Sequence, residues 1–286
     1  MAHDHWQQLC TLLTLLDDPR NDVFLHIDAK ADITRFTPPR LKYVNIQYCS
    51  RVDVRWGHVS QIEAELNLFE FACQTEHSYY HLISGVDLPI HSQDYIHDFF
   101  ENKKLEYIGF SENFKDAWQR THFRTLLPRY QRPHSRLLHG LLSGLRNIFY
   151  LLQQATGMQV HQPDITFYKG CNWVSVTHDF ATELMQHREQ FLCMYRYGSC
   201  CDEVYKQTYA KNSNFKDKVY LSPTGENGSS LREVDWNRGF PYVWRKEDYE
   251  YLVNNSNIFA RKFDDNIDAT IIEMIAGHVR GNNASE

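Results

Sequence analysis

The stretch Asn21–Lys30, NDVFLHIDAK, reads as a compact strand, Val23 to Ile27, that ends on a carboxylate, Asp28. A short apolar run between polar turn residues is the pattern of a buried strand. Its surroundings alternate with it. Before it, Trp6, Leu9, Leu13 and Leu16 recur at helical spacing behind Asp4, a candidate cap. After it come a second strand at Arg40 to Cys49 and a helix at Val59 to Cys73, with Ile62, Leu66, Phe69 and Cys73 on one side. A strand at Tyr79 to Ser84, a turn at Asp87-Leu88-Pro89 and a helix starting at Ser92 follow. This alternation predicts an open α/β sheet. Ligands of such sheets bind at the carboxyl ends of strands, where Asp28 and Asp87 both stand.

Composition narrows the partners. Of 286 residues, 42% are hydrophobic and 23% charged, as in an ordinary globular protein. Aromatics reach 14%, which suits a large core or a site that stacks on flat ligands such as bases and sugars. The net charge of -6 argues against a nucleic-acid binder with a basic surface, so any phosphate site must be local. Seven scattered cysteines without a C-x-x-C predict reduced thiols and a cytoplasmic protein. No apolar stretch approaches the ~18 residues of a membrane span, and the start lacks a signal-peptide pattern. An α/β domain usually opens on a strand. This chain opens on a helix, so the first strand is expected to be missing or truncated.

The middle, roughly residues 112–161, is different. It holds Arg120, His122, Arg124, Arg129, Arg132, His134, Arg136 and His139, for most of which a solvated basic face is the default reading. Within it LLHGLLSGLRNIFYLLQQATG predicts an amphipathic helix, an insertion that packs on the sheet. A peripheral contact with the inner face of a membrane is compatible with this basic segment. Beyond it the pattern predicts a strand around ITFYKGCNWVSVT and helices at Asp179–Phe191 and Asp202–Ala210. A loop at Ser222–Ser230, a strand at Leu231–Trp236, a short helix at Lys246–Val253 and a helix at Ala269–Val279 complete it. One domain, 1–286, accommodates all of this.

Five groups of residues carry chemistry. Asp28 can accept hydrogen bonds from a base or ribose, or cap the next turn. Trp56-Gly57 lies directly before a helix, whose N-terminus favours anions, although a core tryptophan fits equally well. Asn172-Trp173, after Gly170, would make a platform for a sugar ring or a buried structural pair. Asp202 and Glu203 open a helix. They would serve its dipole or supply a general base, and adjacent carboxylates point apart, so at most one faces a ligand. Arg261-Lys262 sits between apolar residues, with Arg232 as a candidate third cation. Cations there can stabilise a departing diphosphate as a metal would. The D-x-D motif that holds such a metal in many nucleotide-sugar transferases is absent from the sequence.

The order of these pieces resembles the core-2/I-branching β-1,6-N-acetylglucosaminyltransferase and peptide O-xylosyltransferase family, especially its bacterial members. LLDDPRNDVFLHIDAK, VRWGHVSQIEAELNLFEFA, YYHLISGVDLPIHS, KGCNWVSVT, CDEVYKQTYA, LREVDW and NIFARKFD run in family order over nearly the whole chain. The resemblance implies a GT-A-like fold, with a central mixed, mostly parallel sheet flanked by helices. It implies inverting, metal-independent transfer of a sugar, GlcNAc or xylose, from a UDP-sugar to an acceptor hydroxyl with a β linkage. No cofactor is expected. Glu203 matches the catalytic base, and Asp28 the acid that holds uridine. Val54, Arg55 and Trp56 match the nucleotide pocket, and Arg261 and Lys262 the diphosphate pair. Asn172, Trp173, Arg232 and the strand-end Asp87 make up the donor-sugar and acceptor set. Cys201 stands where the family carries proline, and Asn172 where xylosyl enzymes carry Asp. The competing reading is a non-catalytic UDP-sugar- or glycan-binding module on the same fold.

Overall fold

The computed structural model describes residues 1–133, 135–160 and 164–281, so His134 and the ends of two predicted segments lie outside the described residues. The apolar runs fold as strands of at most three residues. They are β1 (Val23–Leu25), β2 (Ile46–Tyr48), β3 (Tyr79–His81), β4 (Leu88–Pro89), β5 (Ser175–Thr177), β6 (Arg232–Val234) and β7 (Phe259–Arg261). The helices are α1 (Trp6–Leu15), α2 (Ser60–Ala72), α3 (Gln93–Phe100), α4 (Phe114–His122), α5 (Arg136–Thr156) and α6 (His178–Gln186). They continue with α7 (Arg188–Met194), α8 (Tyr205–Asn212), α9 (Glu226–Ser230), α10 (Tyr249–Val253) and α11 (Ala269–Val279).

In place of one central, mostly parallel sheet, these strands form three small ones among the described residues, one parallel, one antiparallel and one mixed. β1 and β2 are parallel, with Val23 opposite Ile46. β3 and β5 are antiparallel, with Tyr79 opposite Thr177. In the third sheet β7 lies between β4, antiparallel, and β6, parallel. Strand–helix alternation is a local pattern, whereas pairing depends on which distant segments bury the strand. Further backbone bonds extend the sheets: Ala2 bridges Ile27, Tyr107 bridges Ser175, Leu82 N–H donates to Val174, and Phe263 N–H to Val86.

The helices follow their sequence cues where those cues are local. Ser92 caps α3 through a bond from Tyr95 N–H, and α11 has its predicted ends, capped by Asp268. Ile62, Leu66 and Phe69 of α2 are buried with Phe180 and Tyr205 in one core. A second core joins Leu9 and Leu13 of α1 to Ile271 and Ile275 of α11. A third packs Phe100, Tyr107 and Phe259 beneath β7. Five expectations change. Asp4 does not cap α1: the cap position is His5, with left-handed backbone and no side-chain bond. The Asp179–Phe191 helix divides into α6 and α7 at His187. The Asp202–Ala210 helix opens instead as a 3-10 turn, Cys201–Glu203, before α8, and the Ser222–Ser230 loop contains α9. Finally, α5 does not pack its apolar face on a sheet. Leu137, Leu141 and Ile148 are exposed, while Leu142 and Gln153 face inward.

Candidate active site

Cys200 takes a left-handed φ of 51°, and the chain then makes the tight Cys201–Glu203 turn. The turn sends its two carboxylates apart. Asp202 is 6% exposed, and the Glu203 side chain 36%. Glu203 Oε2 accepts from Arg120 Nη1 at 2.8 Å and lies 3.9 Å from Lys169 Nζ. Oε1 takes no hydrogen bond among the described residues. Asp116 holds both cations, Arg120 at 3.1 Å and Lys169 at 3.1 Å, while the Cys200 carbonyl also accepts from Arg120 at 3.0 Å. The Glu203 carbonyl accepts from Gly170 N–H at 2.9 Å. A Cβ on Gly170 would stand 1.8 Å from the Gly109 carbonyl oxygen, so only glycine lets the chain pass here. Glu226 lies beside this group. Burial, opposed by Lys169 and reinforced by Glu203, raises its pKa.

Beneath the turn lies a polar floor. Lys206 and Glu65, both with side chains fully enclosed, pair at 2.5 Å. Tyr205 donates to the same Glu65 oxygen at 2.8 Å. Asn172 completes the group, its Nδ2 donating to Glu65 Oε1 at 2.7 Å and its Oδ1 accepting from Lys206 at 2.6 Å. Both ends of the Asn172 amide are therefore bonded inside the protein. Asp202 Oδ2 accepts from Gln61 at 2.9 Å, and its Oδ1 is buried without a partner. Burial, with the nearby Glu65 and Glu203 charges, pushes the Asp202 carboxyl up to about 7.

The Arg-Lys pair stands at the end of β7. Arg261 lies with its guanidinium 4.7 Å from the centre of the Trp173 ring and its Nε 3.5 Å from Asp87 Oδ1. That Nε is buried and makes no hydrogen bond, so Asp87 acts on it through charge. Asp87 is itself enclosed, fixed by the Ser84 N–H at 2.8 Å and hydroxyl at 2.7 Å. Trp244 Nε1 donates to the Arg261 carbonyl at 2.8 Å. The Lys262 ammonium makes no hydrogen bond or ion pair among the described residues. Arg232 is placed differently. It is 1% exposed and donates to Ser230 O, Val174 O, Ser175 Oγ and Leu82 O at 2.7 to 3.2 Å. Burial lowers its pKa to about 10, so it remains a cation at neutral pH. Its guanidinium ties the ends of β3, β5 and β6 together.

At the end of β1, Asp28 accepts from the Lys30 backbone and ammonium, each at 2.8 Å. Arg51 pins the turn through the carbonyls of Ile27, Asp28, Ala29 and Ala31. His26 accepts from Val52 N–H at 3.0 Å, and burial pushes its pKa down to about 4, which keeps it neutral. Lys30 also reaches Asp53 and the Val54 carbonyl. Lys30 and Arg55 hold the Asp53 carboxyl down at about 2. Trp56 is half-exposed, with the Arg132 guanidinium 3.6 Å from its ring centre. Gly57, at a φ of +72°, makes the turn after it and accepts from Cys200 N–H at 2.8 Å. The Trp56-Gly57 corner therefore abuts the loop that carries Glu203. On the other side, Lys169 and Trp173 belong to one five-residue segment. Four extended residues span at most about 14 Å, so one short segment links the Glu203 and Arg261 groups.

Sequence reading missed Arg120, Lys169, Glu65 and Lys206. Arg120 was submerged in the basic segment, and Lys169 directly precedes the glycine of KGCNW. Glu65 carried a usable signal, an acid beside Ala64 and Leu66 on a helix otherwise apolar at that height. Among the described residues His5, Asp264 and Asp265 form one group whose ligand atoms lie within 4.8 Å of one another. His5 Nδ1 is bonded to Asp265 at 2.6 Å there.

A profile of the family described as Core-2/I-Branching enzyme matches residues 2–257, which contain the Glu203 turn, the floor and the Asp28 and Trp56 groups. A search of curated proteins returned no significant match. With nine-tenths of its length matched and the motifs in order, the chain belongs to the Core-2/I-branching enzyme family, glycosyltransferases that move a sugar from a nucleotide-sugar donor to an acceptor.

Proposed function

We propose that this chain is one GT-A-like domain that transfers a sugar, GlcNAc or xylose, from a UDP-sugar to an acceptor hydroxyl with inversion and without a divalent metal. The acceptor O–H gives its proton to Glu203, and its oxygen attacks the anomeric carbon. The bond from that carbon to the diphosphate oxygen breaks, and UDP leaves with the electron pair. An α-linked donor then yields a β-linked product. Arg261 and Lys262 stabilise the developing diphosphate charge. Asp28 holds uridine, Val54, Arg55 and Trp56 line its pocket, and Trp173 faces the donor sugar. Asn172, Arg232 and Asp87 act one step back: Asn172 supports the Glu203 turn, Arg232 the strand ends, and Asp87 aims Arg261.

The observation that carries this reading is the split at Asp202-Glu203. One carboxylate lies buried in the floor, and the other is open at the surface with Oε1 unbonded beside two cations. A sugar-binding module has no use for that arrangement. The test is UDP release with UDP-GlcNAc and UDP-xylose, with and without EDTA, against a panel of hydroxyl acceptors. Turnover that survives EDTA supports the reading. A strict manganese requirement sinks the metal-free mechanism, and UDP-sugar binding without transfer to any acceptor favours the binding module. We also place the reaction in the cytoplasm, in keeping with seven free thiols.

A further inference from the structure

Helix α5 is turned inside out relative to an ordinary surface helix. An amphipathic helix of a globular protein directs its apolar stripe to the core. Here Leu137, Leu141, Leu145, Ile148, Leu151 and Leu152 form one stripe, and all six are exposed, Leu137 by 86%. Gly140 and Gly144 lie on the same stripe, with nothing within 4 Å of where a Cβ would be. The side that meets the protein is mixed: Leu142 is buried, Tyr150 packs on Phe123, and two polar side chains anchor the helix. The Gln153 amide exchanges bonds with the Arg124 backbone at 2.9 and 3.0 Å. Arg146 donates to the carbonyls of Leu126 and Tyr130. The outward stripe is thus built into the way the helix is held, and a contiguous exposed apolar face of this size marks a contact surface.

Charge identifies the partner. Between Asp116 and Asp164 the chain has six arginines and no aspartate or glutamate, although its net charge is -6. Arg120 and Arg129 are engaged by Glu203 and Asp53, and Arg146 by carbonyls, whereas Arg124, Arg132 and Arg136 pair with no carboxylate among the described residues. A cationic segment beside an apolar stripe matches an anionic bilayer surface, where the apolar side chains enter the acyl boundary and the arginines without a carboxylate partner, Arg136 at the start of the stripe first among them, meet lipid phosphates. The same charge opposes pairing of this face with a second copy of itself. Among the described residues no helix is long and apolar enough to cross a membrane, so the geometry is that of a helix lying in the surface.

We propose that α5 is an interfacial anchor that lays this protein on an anionic lipid bilayer, with the candidate site beside the surface. The segment leading into α5 is bonded to both sides of that site. Gln131 donates to the Gly57 carbonyl at 2.8 Å and accepts from Ser199 at 2.6 Å, and α4, just upstream, carries the Arg120 that grips Glu203. An acceptor displayed at a membrane would therefore approach Glu203 from the side where α5 docks.

The test is sedimentation of the full chain with vesicles of phosphatidylglycerol and phosphatidylcholine, against vesicles of phosphatidylcholine alone. Binding should require the anionic lipid and weaken with salt. The double variant Leu141→Glu, Ile148→Glu should bind anionic vesicles about tenfold more weakly or worse. Its melting temperature should stay that of the wild type, because both side chains are already in water. Hydrogen exchange across residues 137–152 should slow when vesicles are added to the wild type, which reads the same contact without any substitution. The proposal is overturned if the wild type ignores anionic vesicles, or if the variant binds them equally. It is also overturned if light scattering shows a lipid-free dimer that the variant abolishes, which would assign the face to a second copy. None of these outcomes depends on whether Glu203 is the base.

Discussion

The floor beneath the Cys201–Glu203 turn and the rim above it use the same groups in opposite ways. In the floor, Glu65, Lys206 and Tyr205 are fully enclosed and bond one another and the half-buried Asn172. On the rim, Glu203, Arg120 and Lys169 pair as well, but with Glu203 open to solvent and one of its oxygens unbonded. A buried pair must be satisfied internally, because desolvation makes any orphaned charge expensive. An exposed pair gains little by itself and stays available to a ligand. Floor residues are therefore expected to act on stability, and rim residues on turnover.

The largest expected effect is on the rim. Glu203→Gln keeps the shape of the side chain and removes the base, so kcat should fall about 10²- to 10⁴-fold while UDP binding and the melting temperature hold. Unchanged turnover would end the assignment. Next comes the floor. Lys206→Met strands the enclosed Glu65 carboxylate and should lower unfolding stability by about 3–5 kcal/mol in urea titrations. A loss of a few tenths would mean that water reaches the pair and the distinction between floor and rim is misplaced.

Arg261→Ala is a smaller, binding-centred change. A charge-assisted contact with diphosphate contributes about 1.5–3 kcal/mol, so calorimetry should show UDP affinity weaker by about tenfold or more. Asp87→Asn, which removes the charge facing Arg261, should move affinity in the same direction by less. If Arg261→Ala leaves UDP affinity intact, the pair at the end of β7 is a structural feature of that strand.

The smallest effect is a slope. The native Asp202 carboxyl titrates at about 7, above its ordinary 3.8. Between those values the folded protein holds a proton that the unfolded chain has released. The contribution of Asp202 is thus fully present below about pH 4 and is lost as pH rises through 7. Asp202→Asn should flatten the stability curve across that window by up to about 1 kcal/mol per pH unit. Parallel curves for variant and wild type would show that Asp202 is solvated and belongs to the rim.

Much of this arrangement is legible in the amino-acid sequence. The spacing in α2, the Ser92 cap and the ends of α11 are written in neighbouring residues, as is the divergence of two adjacent carboxylates at Asp202-Glu203. The ordered motifs are enough to point to the family, because motif order survives where sheet pairing is obscure. Asn172 and Arg232 show the limit. Both stand in motifs that suggest ligand contact, yet Asn172 is bonded to Glu65 and Lys206, and Arg232 to the carbonyls of Leu82, Val174 and Ser230.

By itself, then, the sequence determined the spans of α2 and α11, the Ser92 cap and the family. Only the tertiary structure decided which charges are enclosed, which cation grips Glu203, and that the leucines of α5 face outward. The physical reason is range. Propensity, capping and periodicity act over a few residues. Whether a charge meets water or a partner depends on segments such as α4 and the Glu203 turn, 83 residues apart, that come together only when the chain has folded.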